Sequence, residues 1–238
     1  MATSANIRPS TGRPATVRET LLAEWHRLVP ASPAGDAVAA ELIARWSEPH
    51  RRYHDRAHLR AVLAAIDPLA ALAADPAAVR LAAWFHDAVY DGHPGRDEER
   101  SAQLAESCLP RCGVPPARVA ETARLVRLTA GHAPADGDRN GEVLCDADLA
   151  ILAAPPDVYA AYAAAVREEY RHVPDDLFAA GRAKVLAGLL AMPRLYRTPA
   201  AYELWERAAR ENVAAELARL SRLAPPQPGG GEPHHQDP

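Results

Sequence analysis

Three short polar runs interrupt apolar stretches of this chain, and they contain the residue types that hold metal ions. They read Tyr53-His54-Asp55-Arg56-Ala57-His58-Leu59, Trp84-Phe85-His86-Asp87-Ala88-Val89-Tyr90-Asp91 and Cys145-Asp146-Ala147-Asp148-Leu149. In each run His or Asp stands beside residues that should face a core. Burying an ionised carboxylate is costly unless something compensates its charge. A divalent cation does so, and imidazole with carboxylate is an ordinary ligand set for one. The candidate ligands are His58, His86, Asp87 and Asp148. Each has a plainer alternative alone: a hydrogen-bonded core histidine, a capping aspartate, a salt bridge. Their joint occurrence in the order His, His-Asp, Asp favours the metal.

Helices must carry these runs. Asp55 reads as an N-cap, which puts His58 in a first helical turn and His54 just before it. Asp75-Pro76 reads as an N-cap followed by Pro at the first helical position. That helix is expected to run through LAAWFHDAVY, with His86 and Asp87 about 100° apart around its axis. Asp148 comes from a distant helix over 142–152. Further helices are expected over 16–28, 35–47, 55–72, 98–109, 115–130, 156–170, 175–190 and 199–223, with a turn-rich loop GHAPADGDRNG between 115–130 and 142–152. No apolar run alternates with period two.

Composition agrees with helices. Hydrophobic residues make up 48% of 238, but Phe is only 2, Trp 4 and Tyr 7. The core must therefore be mostly Ala and Leu, which are helix formers, whereas strands favour β-branched and aromatic residues. The expected fold is all-α: one compact multi-helix domain over 16–223, a disordered leader at 1–15 and a disordered Pro/Gly-rich tail at 224–238. His234 and His235 fall in that tail. The net charge of -4, without a Lys/Arg cluster, argues against a nucleic-acid surface. No apolar run approaches the roughly 18–20 residues of a membrane span. Cys108, Cys112 and Cys145 are too few and odd for a disulfide framework. Cys108 and Cys112 are four apart and could form half a metal site, but buried small residues are the simpler reading. A reducing cytoplasm fits.

The order His, His-Asp, Asp resembles the HD superfamily of phosphohydrolases over about residues 45–215. FHDAVYD resembles its HD motif, HLRAVLAAI the helix of the first histidine, and DADLAIL the segment of the last aspartate. The chain is similar to a bacterial subgroup with RYHxxxHL, FHDxVYD, EERSA, DADLxIL, VRxEY and ARxN segments, here Arg52–Leu59, Phe85–Asp91, Glu98–Ala102, Asp146–Leu152, Val166–Tyr170 and Ala209–Asn212. The resemblance implies an HD-type domain with His58, His86, Asp87 and Asp148 as ligands. The metal would be Mn, Mg, Co, Zn or Fe, and the substrate a small phosphate ester, a nucleotide or related metabolite, attacked by metal-bound hydroxide.

The resemblance also suggests roles beside the metal. YHDRAHL resembles the YHNxxHA segment of cyclic-nucleotide phosphodiesterases, which implies His54 as the acid for the leaving oxygen; Asp55 replaces the Asn. HDAVYD resembles the HDxxED of ppGpp hydrolases, which makes Asp91 a candidate for activating water, though Tyr90 replaces the Glu. An exposed helix-end carboxylate is the alternative for Asp91. His132 is a candidate substrate or second-metal residue, or a helix C-terminal histidine favoured by the dipole. Arg167, Arg182 and Lys184 could bind phosphate, the guanidinium forks best, or pair with Glu168 and Asp175. Tyr159, Tyr162 and Tyr170 read as core or pocket wall. Two other functions stay open: a di-iron HD oxygenase, needing more His ligands such as His132, and a metal-stabilised nucleotide-binding module without turnover.

Overall fold

A computed structural model describes residues 16–223; the expected leader and tail, with His234 and His235, lie outside the described residues. Those residues form an all-helical domain with no strand among them. Helix α1 spans Val17–Leu28 and α2 spans Pro33–Arg45, followed by α3 at Arg56–Ile66 and α4 at Pro76–Phe85. Then come α5 at Arg96–Cys108, α6 at Pro116–Leu128, α7 at Arg139–Asp148, α8 at Pro156–Glu169, α9 at Asp175–Ala191 and α10 at Pro199–Leu223. The expected helices over 55–72 and 142–152 each end in a 3-10 segment, at Asp67–Leu72 and Leu149–Ala153. Pro68 lacks the N–H that would continue the first α-helical ladder.

Helix α4 is the centre of the domain. Ala78, Val79 and Leu81 to Phe85 are all buried. A helix apolar on every face belongs inside, and its alanines let α3, α6 and α7 approach closely. The capping reading holds here: Asp75 accepts from the N–H of Ala77 and Ala78, with Pro76 at the first position. Helix α3 packs Leu59, Val62, Leu63 and Ile66 inward at helical spacing. Three tryptophans fill what Ala and Leu leave. Trp25 meets Trp84 edge-on at 5.3 Å, and Trp46 Nε1 donates to the carbonyl of Trp84 at 3.0 Å. Helices α9 and α10 pack against each other, and α10 lies along the 3-10 segment after α7.

Helix α4 stops at Phe85, short of the expected Tyr90. The reason is Arg51, which sequence reading passed over. Its side chain is fully buried, and its Nη1 donates to the carbonyls of Asp87 at 2.8 Å and His54 at 2.9 Å. Its Nη2 reaches Ala88 O, and Ser101 Oγ accepts the N–H of Val89. These partners replace the helical ladder, so the chain turns at residues 86–89. His86 keeps helical dihedrals as the C-cap, while Asp87 lies in the turn. We expect Arg51→Ala to lower the unfolding free energy by about 3 kcal/mol, because buried carbonyls lose their donors. Chemical denaturation measures this; a loss below about 1 kcal/mol would mean that water replaces the guanidinium.

Candidate metal centre

Of the four expected ligands, His58, His86 and Asp148 form one group, and Asp87 lies beside it. Asp55 caps α3 and places His58 in its first turn; His86 is the C-cap of α4 and Asp87 lies in the turn after it; α7 ends on Asp148. His58 Nε2 and His86 Nε2 are 3.2 Å apart, and Asp148 Oδ1 lies 3.2 Å from the first and 3.4 Å from the second. Asp87 Oδ2 is 3.2 Å from His86 Nε2 and 3.9 Å from His58 Nε2. For a cation with ~2.1 Å bonds, adjacent donors sit about 3.0 Å apart at a right angle and about 3.4 Å at the tetrahedral angle. The His58, His86 and Asp148 edges fit one ion, whereas the 3.9 Å from Asp87 to His58 exceeds both values. A His58–His86–Asp148 cluster that could hold a metal is the one such group among the described residues.

The donor chemistry fits as well. His86 Nδ1 lies 2.8 Å from the carbonyl of Ala83, which can only accept. The proton is therefore on Nδ1, and neutral His86 offers an Nε2 lone pair to the centre. Burial holds His58 below the ordinary imidazole range, against the pull of Asp148, which keeps it in the neutral ligating form. Burial also opposes charge on His86, but Asp87 and Asp148 outweigh it and raise that imidazole well above the usual value. Burial would push both carboxyls up, yet His86 above all keeps Asp87 and Asp148 well below the ordinary carboxylate range. A divalent cation in the group would balance both carboxylates and favour the neutral imidazole of His86.

His132 comes to the same group. Its Nε2 is 2.7 Å from Asp148 Oδ2, so Asp148 spans the centre and His132. His132 also has φ 47°, the single positive value outside glycine among the described residues. That backbone is held only where surroundings compensate, and the bond to Asp148 contributes.

Beside the centre stands a pair that the sequence reading half found. His54 lies at the cavity wall, its ring stacked on Tyr90 at 4.2 Å. His54 Nδ1 is 2.7 Å from Glu169 Oε2. Glu169 Oε1 accepts the backbone N–H of Arg52, Tyr53 and His54 at 2.8, 2.9 and 3.0 Å, and Oε2 also accepts from Tyr90 OH. Its side chain is 3% exposed. Burial would raise this carboxyl, but the His54 bond and the backbone donors lower it to about 2. A carboxylate only accepts, so Nδ1 of His54 carries a proton and Nε2 is left to exchange one. Glu169 sits in the VREEY segment, but nothing local marks it: its partners are 79 to 117 residues away.

The centre lies at the floor of a cavity of about 560 Å³, within the range of small-molecule sites. Tyr162 and Tyr170 line it, as expected; Tyr159 is buried against Glu216 instead. Two expected site residues are not there. Asp91 is half exposed and paired with Arg100, its backbone N–H is held by Asp97, and it does not line the cavity, although Gly92, His93 and Pro94 after it do. Arg167 packs over Phe178, pairs with Asp175 and donates to the carbonyls of Tyr170 and Val173. It holds the turn between α8 and α9. Arg182 does line the cavity, but its Nε and Nη2 grip both oxygens of Glu216 at 2.9 and 3.0 Å, and Nη2 meets Tyr162 OH at 3.1 Å. Lys184 is exposed and outside the cavity. Cys108, Cys112 and Cys145 are buried free thiols; Cys112 donates to the carbonyl of Cys108. No single helix among the described residues is long and apolar enough to cross a membrane.

No family model matches the chain, and neither a curated protein nor a solved structure does.

Proposed function

We propose that this protein is a metal-dependent phosphohydrolase of the HD type, acting on a small phosphate ester. The observation that carries the reading is the grouping of His58, His86 and Asp148 in the wall of a cavity, with Asp87 next to them and a histidine held by a buried carboxylate nearby. A divalent cation held there would acidify a bound water and draw charge from a phosphoryl oxygen. The chain supplies the rest. His58, His86, Asp87 and Asp148 hold the ion. His132 orients Asp148 from behind, as outer partners of ligands do. Glu169 fixes the ring of His54, whose Nε2 delivers a proton to the leaving oxygen. Tyr53, packed on His58 at 4.7 Å and on Tyr162 at 4.6 Å, narrows the access of water.

A di-iron oxygenase needs a second set of ligands. His132 with the outer oxygen of Asp148 supplies two donors, and the described residues contain no second metal-binding group. One ion is therefore the preferred reading.

The test is phosphate release from phosphorylated metabolites by the purified protein with Mn, Mg, Co, Zn or Fe, alongside metal analysis. We expect release from at least one ester, lost with EDTA and restored by metal. Oxygen uptake with an obligate iron pair, and no phosphate release, would replace this reading with the oxygenase.

A further inference from the structure

The cavity wall facing the metal centre is apolar. Ile151, Val166, Val173, Leu177, Phe178 and Val185 form it, from α8, α9 and the segments beside them. Leu177 and Val185 are 61% and 56% exposed, large apolar side chains left open at the mouth. Such surface is stabilised when something apolar covers it. The cavity is correspondingly poor in free positive charge. Arg182 is the one Arg or Lys among its lining residues, and Glu216 neutralises it. Asp97 and Glu98 line the cavity together with Asp87 and Asp148. The N-terminus of α5 also borders it, but its first turn carries Asp97, Glu98 and Glu99, with Glu98 bonded to the N–H of Gly95. That end of the helix is filled by its own carboxylates and is not free for phosphate.

Phosphate chains are held by guanidinium forks, lysines or open backbone amides. This cavity offers one metal position and a surplus of carboxylates. Resting on the hydrolase reading above, we propose that the substrate is an ester with a single phosphoryl group on an apolar organic moiety. The phosphoryl group sits at the His58–His86–Asp87–Asp148 floor, and the apolar moiety lies against Leu177, Phe178 and Val185. Nucleoside di- and triphosphates are disfavoured, because their further phosphates would meet Asp97 and Glu98.

Titration calorimetry of the full chain in excess manganese tests this without turnover. The probes are 1-naphthylphosphonate and methylphosphonate, which share a head group, and AMP and ATP, which differ in phosphate number. We expect naphthylphosphonate to bind at least about tenfold tighter than methylphosphonate. Val185→Ser should remove at least about threefold of that preference while changing methylphosphonate binding less than about twofold. ATP should bind no tighter than AMP. Equal binding of the two phosphonates, no binding of either, or tighter binding of ATP would each overturn the proposal. If the order holds but no ester is hydrolysed, only the hydrolase reading falls. If triphosphates are hydrolysed while the phosphonates bind alike, only the substrate class falls.

Discussion

Asp148→Ala is expected to lose bound metal and turnover together, with manganese affinity down by more than about a hundredfold and activity below about 1%. Asp148 is the member with most at stake: Oδ1 faces both His58 Nε2 and His86 Nε2, while Oδ2 takes the bond from His132. Its removal deletes one donor and leaves both imidazoles without their shared carboxylate. Asp87→Ala should act in the same direction, since Asp87 lies 3.2 Å from His86 Nε2. His132→Ala should be milder, about ten- to a hundredfold in affinity, because it removes only an orienting partner. Metal content by mass spectrometry and calorimetric titration reads all three. A fully metallated, active Asp148→Ala protein would remove the proposed centre.

Glu169→Gln should leave the metal in place and slow turnover by about a hundredfold, because general acid catalysis contributes roughly that much or more. The carboxylate holds His54 Nδ1 and three backbone N–H groups. An amide can accept the backbone bonds through its oxygen but meets Nδ1–H with a donor. The loss should fall on kcat rather than KM. His54→Ala should lose a similar factor, and the double variant little more, since the two act as one unit. Additive losses would mean that Glu169 only supports the backbone. Stability reports on the same carboxylate. Its folded value, about 2, lies below the ordinary 4.5, so its contribution is present above the ordinary value and fades as pH falls towards 2. The stability gap between wild type and Glu169→Gln should shrink by about 2–3 kcal/mol between pH 6 and pH 2. A gap independent of pH would show no such depression.

The helices were legible where short-range chemistry specifies them. Thr16 caps α1 in a capping box, and Asp55 and Asp75 cap α3 and α4 as their positions suggested. These signals work because cap and capped amide are two or three residues apart. The candidate metal ligands were legible for another reason: His and Asp inside apolar helices are costly without a partner, so their presence announces one. The sequence thus determined an all-helical domain and marked His58, His86, Asp87 and Asp148 as polar side chains that needed partners. Contacts between distant segments decided the rest. Arg51 ended α4 early from 36 residues away, and Glu169 found His54 from 115 residues away. Asp91 and Arg167 had the right chemistry for the site, but nearer or better-placed partners in Arg100 and Asp175 took them. Local pattern says that a charge needs a partner; only packing in three dimensions chooses which one, because the choice depends on distance in space and not along the chain.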